Sequence, residues 1–406
     1  MSGNNESDGS VRLRRRTILK GAAVSGVLLP TVLSQSSCSR EHSELAQQTG
    51  PNSMQPFIID VHHHAVPSIY VDEMNRQNYV PSHGKGFPKW SPQTSLHTMD
   101  QYGIAAAVTS VSSPGVYIGN AKKAVALSRS LNEYSAAMSQ EHPGRMGFFA
   151  ILPLPVTEAA ISEAIYALDE LGADGVVLLA SSGDQFLGDP DFDELMAELD
   201  KREAVVFVHP NIHSTSDALP LDIPGFYLEF MFDTTRAVTN LIYSGTLERY
   251  QRIKWIIAHA GATLPYLAWR LSLANAESPE ILERAPRGVM AYLKTLHYDT
   301  ALSPTRYSMA SLLELVEPTQ VLFGSDFPFA PDPLVGVELM ELRDNPLLDE
   351  QMTKMILRDN AVRLFPRFAS SGEIPTDLQS TSLLEHPKVP AAKRFVLKTL
   401  KRLIGD

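Results

Sequence analysis

The sequence predicts an α/β fold, a (β/α)8 (TIM) barrel with a long lid loop and a C-terminal extension. Three observations carry that reading. Eight short apolar runs rich in Val, Ile, Phe and Leu recur through residues 57–325, separated by helical patterns or long connections. Most of these runs do not alternate apolar with polar residues, which is the pattern of strands buried on both faces of a parallel sheet. The reactive side chains fall at the C-terminal ends of the runs, and those ends converge on one mouth when parallel strands close into a barrel. A doubly wound sheet is the alternative; the count of eight and the convergence favour the barrel.

In order, strands are expected at residues 57–61, 105–111, 146–152, 175–180, 204–209, 253–259, 296–300 and 320–325. Helices are expected at 158–171, at 191–202 after Asp189-Pro190, at 234–250 and at 265–276, where apolar residues recur at helical spacing. Residues 65–98, containing Pro67, Trp90 and Pro92, read as a long loop after the first strand, and 210–232 as a second. Long loops in compact domains commonly serve as lids or insertions. The barrel is expected to span 57–366. Residues 367–406 form an extension with Pro375, Pro387 and Pro390, ending in a basic amphipathic stretch at 393–404. That stretch is expected to pack as a helix outside the barrel or to fray, with a subunit or membrane-surface contact as the weaker reading.

Composition narrows the function. The chain has 406 residues, 44% hydrophobic and 20% charged, which supplies enough apolar surface to exclude disorder throughout. It contains no run of 18 or more apolar residues, so a helical polytopic membrane protein and a stable membrane span are excluded. A single cysteine, Cys38, excludes an internal disulfide framework. The net charge is −11, and the first 40 residues hold six basic and two acidic groups, which leaves −15 on the rest. So acidic a body repels phosphate backbones, and nucleic acid is not an expected partner.

Residues 1–38 read as an export signal. A polar segment leads into Arg14-Arg15-Arg16-Thr17-Ile18-Leu19-Lys20, then a 13-residue apolar run at 21–33 broken by Pro30, then small polar residues. The run is shorter than the roughly 20 residues that a spanning helix needs. Its basic, apolar, small order is that of a twin-arginine secretory signal, which implies a periplasmic protein. Cleavage is expected near 34–37, with 39–56 as a leader into the barrel. Lipidation at Cys38 is the lesser alternative, because Gln35-Ser36-Ser37 departs from the usual Leu-x-Gly/Ala pattern.

The first strand ends in Asp60-Val61-His62-His63-His64. Alternate residues of a strand share a face, so His62 and His64 point together and His63 points away. His209 ends a second apolar run, His259 a third, and Asp326 follows the last. Four histidines and a carboxylate at four strand ends of one barrel are hard to reach by packing alone, since each buried polar group needs a partner. Imidazole and carboxylate suit one divalent ion, zinc first, with manganese or iron as alternatives. His62, His64, His209 and Asp326 can hold it with a position left for water or substrate, and His259 stands beside it as an acid/base group. Trp90, Phe327 and Phe329 flank the mouth and suit a planar ligand.

The segments 60–67, 207–210, 259–270 and 324–329 resemble the amidohydrolase superfamily. The resemblance is to the amidohydrolase-2 branch, which holds aminocarboxymuconate semialdehyde decarboxylase and the salicylate-type decarboxylases, and it spans about residues 56–366. The texture is most similar to the 6-methylsalicylate decarboxylases, through 60–67, 110–115, 147–150, 173–176 and Phe232-Asp233-Thr234-Thr235-Arg236-Ala237. The resemblance implies a barrel of the metal-dependent hydrolase type, with one metal at the positions of His62, His64, His209 and Asp326 and a catalytic acid/base at His259. It also implies that Arg270 reaches a neighbouring subunit's site, and hence a homodimer. Two features depart from the semialdehyde decarboxylase. No arginine stands near Ser95, and Asn211 follows His209-Pro210 where that enzyme has an aromatic residue. Both argue against its dicarboxylate substrate and leave another small carboxylic acid. The implied reaction is metal-dependent, non-oxidative decarboxylation of a small (hydroxy)aromatic or related acid. Asp326 and His259 would protonate the carbon, and Arg270, Phe329 and Trp90 would contact the substrate. Hydrolysis of a lactone or amide on the same ligands is the alternative, and a non-catalytic metal- or ligand-binding barrel the third.

Overall fold

The computed structural model describes residues 57–79, 86–218, 221–372 and 391–404. The expected export signal and leader, and the middle of the C-terminal extension, lie outside the described residues.

Eight strands follow one another round a single sheet: β1 (Ile58–His64), β2 (Ile104–Ser110), β3 (Met146–Ile151), β4 (Gly175–Leu179), β5 (Val205–His209), β6 (Lys254–Ile257), β7 (His297–Asp299) and β8 (Val321–Leu322). Each pairs parallel with the next. The Val61 N–H donates to the Phe323 carbonyl at 3.0 Å, and the His62 carbonyl accepts from the Ser325 and Asp326 N–H groups. The last strand's continuation thus lies against the first, and the sheet comes round into a (β/α)8 barrel. Ile59, Val108, Phe149, Val177, Phe207 and Ile256 fill its interior. Phe148, Val176, Val206 and Ile257, at alternating positions, pack outward among the helices. Both faces of each strand are therefore apolar, which is why the runs do not alternate.

The strands end sooner than the apolar runs. β6 stops at Ile257 rather than 259, and β8 holds only Val321–Leu322 of the expected 320–325. In both places the backbone changes partner. The His259 N–H donates to the Asp299 carboxylate at 3.0 Å, and the Ser325 and Asp326 N–H groups turn to the His62 carbonyl.

The longer helices are α1 (Ser68–Arg76), α2 (Pro92–Tyr102), α3 (Ala121–Glu141), α4 (Thr157–Asp169), α5 (Asp193–Lys201), α6 (Glu229–Tyr243), α7 (Leu264–Ser272), α8 (Arg306–Leu315), α9 (Asp332–Arg343) and α10 (Ala391–Ile404). Residues 65–98, expected as a loop, hold α1 and the start of α2. Tyr70 and Met74, four residues apart, bury one face of α1. α2 opens on a capping box: Ser91 Oγ accepts from the Thr94 N–H, Thr94 Oγ1 accepts from the Ser91 N–H, and Pro92 takes the first helical position. Pro92 therefore starts a helix rather than breaking one. The helix expected at 234–250 begins earlier, at Glu229, and stops at Tyr243. Gly245, at φ 78°, then starts the separate turn Thr246–Arg249.

Packing continues beyond residue 366. Phe368 is buried in the same apolar core as Phe149 and Phe365. The buried Arg358 guanidinium donates to the carbonyls of Phe57, Phe368, Ala369 and Ser371, tying the start of β1 to this segment. α10 docks on α9 through the fully buried Leu397, and Lys401 pairs with Glu341 and Asp344. Among the described residues no helix is long and apolar enough to cross a membrane.

Candidate metal centre

The pleat of β1 turns His62 and His64 into the barrel mouth. His209 arrives at the end of β5, and Asp326 on the turn after β8. Four ligand atoms, one from each of these buried residues, lie within 4.8 Å of one another.

The partners of the ring nitrogens show what the cluster is for. His62 Nδ1 lies 2.8 Å from Asp299 Oδ2, and His209 Nδ1 lies 2.7 Å from the Pro210 carbonyl. His64 Nδ1 lies 3.3 Å from the Ser110 carbonyl and 3.0 Å from its hydroxyl. Carboxylates and carbonyls only accept, so each Nδ1 carries a proton and each Nε2 is the atom left to face the cluster. These nitrogens meet. His62 Nε2 is 3.0 Å from His64 Nε2, and Asp326 Oδ1 is 2.8 Å from His64 Nε2 and 3.4 Å from His62 Nε2. Atoms of this kind packed so closely need positive charge among them, a proton on His62 when no ion is bound and a metal ion in its place when one is. Three imidazoles and a carboxylate therefore form a His/His/His/Asp metal site.

The electrostatics agree. Burial disfavours a charged His62, yet the carboxylates of Asp299 and Asp326 outweigh it and push its pKa up to about 10, so the pocket draws positive charge. Burial holds His64 and His209 below the ordinary imidazole range. For Asp326 burial alone would act upward, but its contacts with His62 and His64 dominate and hold it well below the usual carboxylate range.

His259 stands next to this cluster, with ring centroids 5.0 Å from His62 and 5.9 Å from His209. Burial, followed by the His62 charge, lowers its pKa to about 4, so it is neutral at pH 7. Its Nδ1 is buried and has no hydrogen-bond partner among the described residues. The backbone is strained at this point: His259, Ala260 and Asp326 take φ values of 56°, 54° and 53°, a left-handed conformation that side-chain-bearing residues rarely adopt.

Two carboxylates that sequence reasoning passed over organise the site. Asp299 Oδ1 accepts from the N–H groups of His259 and Ala301, each at 3.0 Å, while Oδ2 orients His62. The signal was present, since Asp299 lies one residue before the end of the predicted strand 296–300, close to the place His209 takes in its own. Asp60 accepts from Ser325 Oγ at 2.5 Å, the Ser325 N–H at 3.1 Å, the His62 N–H at 3.0 Å and His63 Nδ1 at 2.9 Å. It was legible only as part of the motif around the histidines.

The other expected site residues divide. Phe329 lies at the mouth, edge-on to His64 with centroids 5.3 Å apart. Trp90 is not brought to the metal face. Its indole N–H donates to Ser95 Oγ at 2.8 Å, and Ser95 bonds His63 Nε2 at 2.9 Å, on the opposite side of β1. Phe327 packs there too, 5.1 Å from the His63 ring. The cause is the pleat, which sends His63 and everything seated on it away from the mouth. Arg270 is exposed on α7, beside Tyr266 (85% exposed) and Trp269 (76% exposed). A small recess of about 20 Å³ lies at the ends of β2, β3 and β4; its walls include Val116, Ile151, Val177, Leu179 and Asn211.

A parallel barrel holding such a four-ligand cluster at the C-terminal ends of its strands defines a class, the metal-dependent barrel enzymes. The chain belongs to the amidohydrolase family, whose model matches residues 59–367. It is 36% identical over 338 residues to the decarboxylase yanB of Aspergillus niger, covering 79% of this chain and 89% of that protein. It is 34% identical over 313 residues to 6-methylsalicylic acid decarboxylase of Penicillium expansum, covering 76% and 96%. Among solved structures it shares its fold with a dihydroxybenzoic acid decarboxylase of a Polaromonas species with bound manganese, at a TM-score of 0.64 and 22% identity over 76% of this chain and 97% of that one. The protein is thus an enzyme of the amidohydrolase family whose curated relatives are decarboxylases.

The role of Asp299 can be tested directly. Asp299→Ala leaves the His62 ring free to turn, and metal affinity is expected to fall by ~10–100-fold, as for other groups that orient a ligating histidine. Competition with a chromophoric chelator measures this, and an affinity within twofold of the parent would show that His62 needs no such anchor.

Proposed function

We propose that the protein is a metal-dependent, non-oxidative decarboxylase of a small 2-hydroxyaromatic carboxylic acid. The observation that carries this reading is the convergence of three imidazole nitrogens and the Asp326 carboxylate beside His259, whose Nδ1 has no partner among the described residues, in a chain whose relatives include 6-methylsalicylic acid and gamma-resorcylate decarboxylases. Phe329, edge-on to His64 at the mouth, offers an aromatic substrate a ring to pack against.

His62, His64, His209 and Asp326 would hold one divalent ion. Zinc suits the donor set, and manganese, present in the Polaromonas neighbour, suits it as well. When bound, the ion supplies Lewis acidity toward the carboxylate and phenolate oxygens and offsets developing negative charge. The chain's own groups then move one proton. The ring carbon bearing the carboxylate takes a proton, the bond to the carboxyl carbon breaks, carbon dioxide leaves, and its bonding electrons restore the aromatic ring. Asp326 would be the donor at the mouth, and because it rests as a carboxylate its proton has to come from solvent by way of His259. His259, neutral and with a bare Nδ1, accepts and passes the proton that resets the site.

In the full chain loaded with metal, carbon dioxide release from a panel of 2-hydroxybenzoates is expected and should be abolished by a chelator. His259→Ala should keep its metal but lose ~10²–10⁴-fold in kcat, the span of a missing acid/base group. Acid release from small lactones without carbon dioxide would replace this reading with the hydrolase one.

We further propose a homodimer in which Arg270 of one subunit binds the substrate carboxylate of the other. The exposed Tyr266, Trp269 and Arg270 on one helix support it, as does the family resemblance around residues 259–270. His259→Ala and Arg270→Ala chains, each nearly inactive alone, should regain about a quarter of parental activity when co-expressed, because half of randomly paired dimers carry one intact site. No recovery in a mixture shown to contain heterodimers would sink the shared site.

The basic and apolar order of residues 12–33 supports export through a twin-arginine route. Replacing Arg14, Arg15 and Arg16 by lysine keeps the charge and should leave the chain in the cytoplasm; a periplasmic variant would refute that route.

A further inference from the structure

The three metal-site histidines are braced in three different ways. His62 is held by a carboxylate, and His64 by the Ser110 hydroxyl and carbonyl. His209 has only the carbonyl of the next residue, Pro210, 2.7 Å from its Nδ1. A lone peptide carbonyl is the weakest of these braces, and a backbone plane can rotate unless something holds its other side.

Something does. The N–H of that same peptide, on Asn211, donates to Asp233 Oδ2 at 2.8 Å. Asp233 lies in α6, within the 232–237 motif that the proposed function leaves without a role. It is only 5% exposed. Its other oxygen accepts from Ser181 Oγ at 2.8 Å. Asn211 is pinned further by its side chain, with Nδ2 donating to the Ser181 carbonyl at 3.1 Å and Oδ1 accepting from Ser113 Oγ at 2.8 Å. Burial raises the Asp233 carboxyl to about 6, against the pull of Asn211 and Ser181, so it is an anion at pH 7 and above.

We propose that Asp233 is a positioning residue for the metal ligand His209, acting through the Pro210–Asn211 peptide. The four groups form one line: carboxylate, peptide N–H, peptide carbonyl, imidazole Nδ1–H. An anion on the N–H side of a peptide polarises its carbonyl into a stronger acceptor, and hydrogen bonds in such a chain strengthen one another. The carbonyl in turn holds the His209 proton on Nδ1 and makes Nε2 a better donor to a metal. Asp233 thereby does at one peptide's remove what Asp299 does for His62 by direct contact.

The inference rests on the metal-site reading, and the test separates the two. The full chain is stripped with a chelator, and its affinity for Zn²⁺ and Mn²⁺ alone is measured by competition in the parent, Asp233→Asn, Asp233→Ala and His209→Ala. Melting of the metal-free proteins is followed in parallel. Asp233→Ala is expected to lose ~10–100-fold in affinity, the usual cost of a group that orients a ligating histidine. Asp233→Asn, which keeps size and an acceptor but not charge, should lose less. The His209 Nδ1–H proton resonance of the metal-free protein should move upfield in Asp233→Asn while its melting temperature stays at the parent's, which separates a weakened bond from general loosening. If Asp233→Ala fails to fold, Asp233→Asn carries the test. An affinity within twofold of the parent in the aspartate variants, with His209→Ala weakened, overturns the positioning role and leaves the metal site standing. A parent that takes up neither ion, or a His209→Ala chain with full affinity, overturns both.

Discussion

The site depends on one buried carboxylate at the seam where the barrel meets itself. Asp60 lies on β1 with no exposed surface, and its oxygens accept from both the hydroxyl and the N–H of Ser325 on the far side of the seam. It also takes the His62 N–H and the His63 ring. A carboxylate so deeply buried and left unpaired costs several kcal/mol, so the fold keeps it only where its partners are in place. With Ser325 fixed against β1, the next residue, Asp326, arrives beside His62 and His64, which precede it by more than 260 positions in the chain. The closure of the barrel and the assembly of the metal ligands are one event.

Around that seam the chain spends its polar contacts on orientation. Each ligating imidazole has its proton held on Nδ1 by an acceptor, so the Nε2 atoms have no choice but to face one another. Asp299 connects this arrangement to His259, because one of its oxygens holds His62 and the other holds the His259 backbone in its left-handed turn. Glu338, buried on α9, accepts the Leu302 N–H at 2.9 Å and steadies the stretch after Asp299; burial, then the Asp326 charge, keeps its carboxyl well above the ordinary range. Functional sites commonly store backbone strain where surrounding bonds over-determine it, and His259 and Asp326 are such places.

What the sequence by itself determined was the periodicity and the donor set. Apolar runs without alternation imply a parallel sheet, because strands covered on both faces leave no polar side to show, and their count of eight with reactive residues at the ends implies a barrel. His62, His64, His209, His259 and Asp326 were legible because each polar residue ends or follows an apolar strand, a position that packing alone does not reward. The helices inside residues 65–98 were not legible, since Pro92 reads as a breaker until Ser91 and Thr94 cap the helix it begins. Trp90 read as a mouth aromatic because sequence distance cannot say which face of β1 the following segment will reach; the pleat assigns it to His63. Only the tertiary structure could decide the roles of Asp60, Asp233 and Asp299. A carboxylate's function is set by the hydrogen bonds it accepts, and here those come from residues up to 265 positions away, brought together by barrel closure and by no local rule.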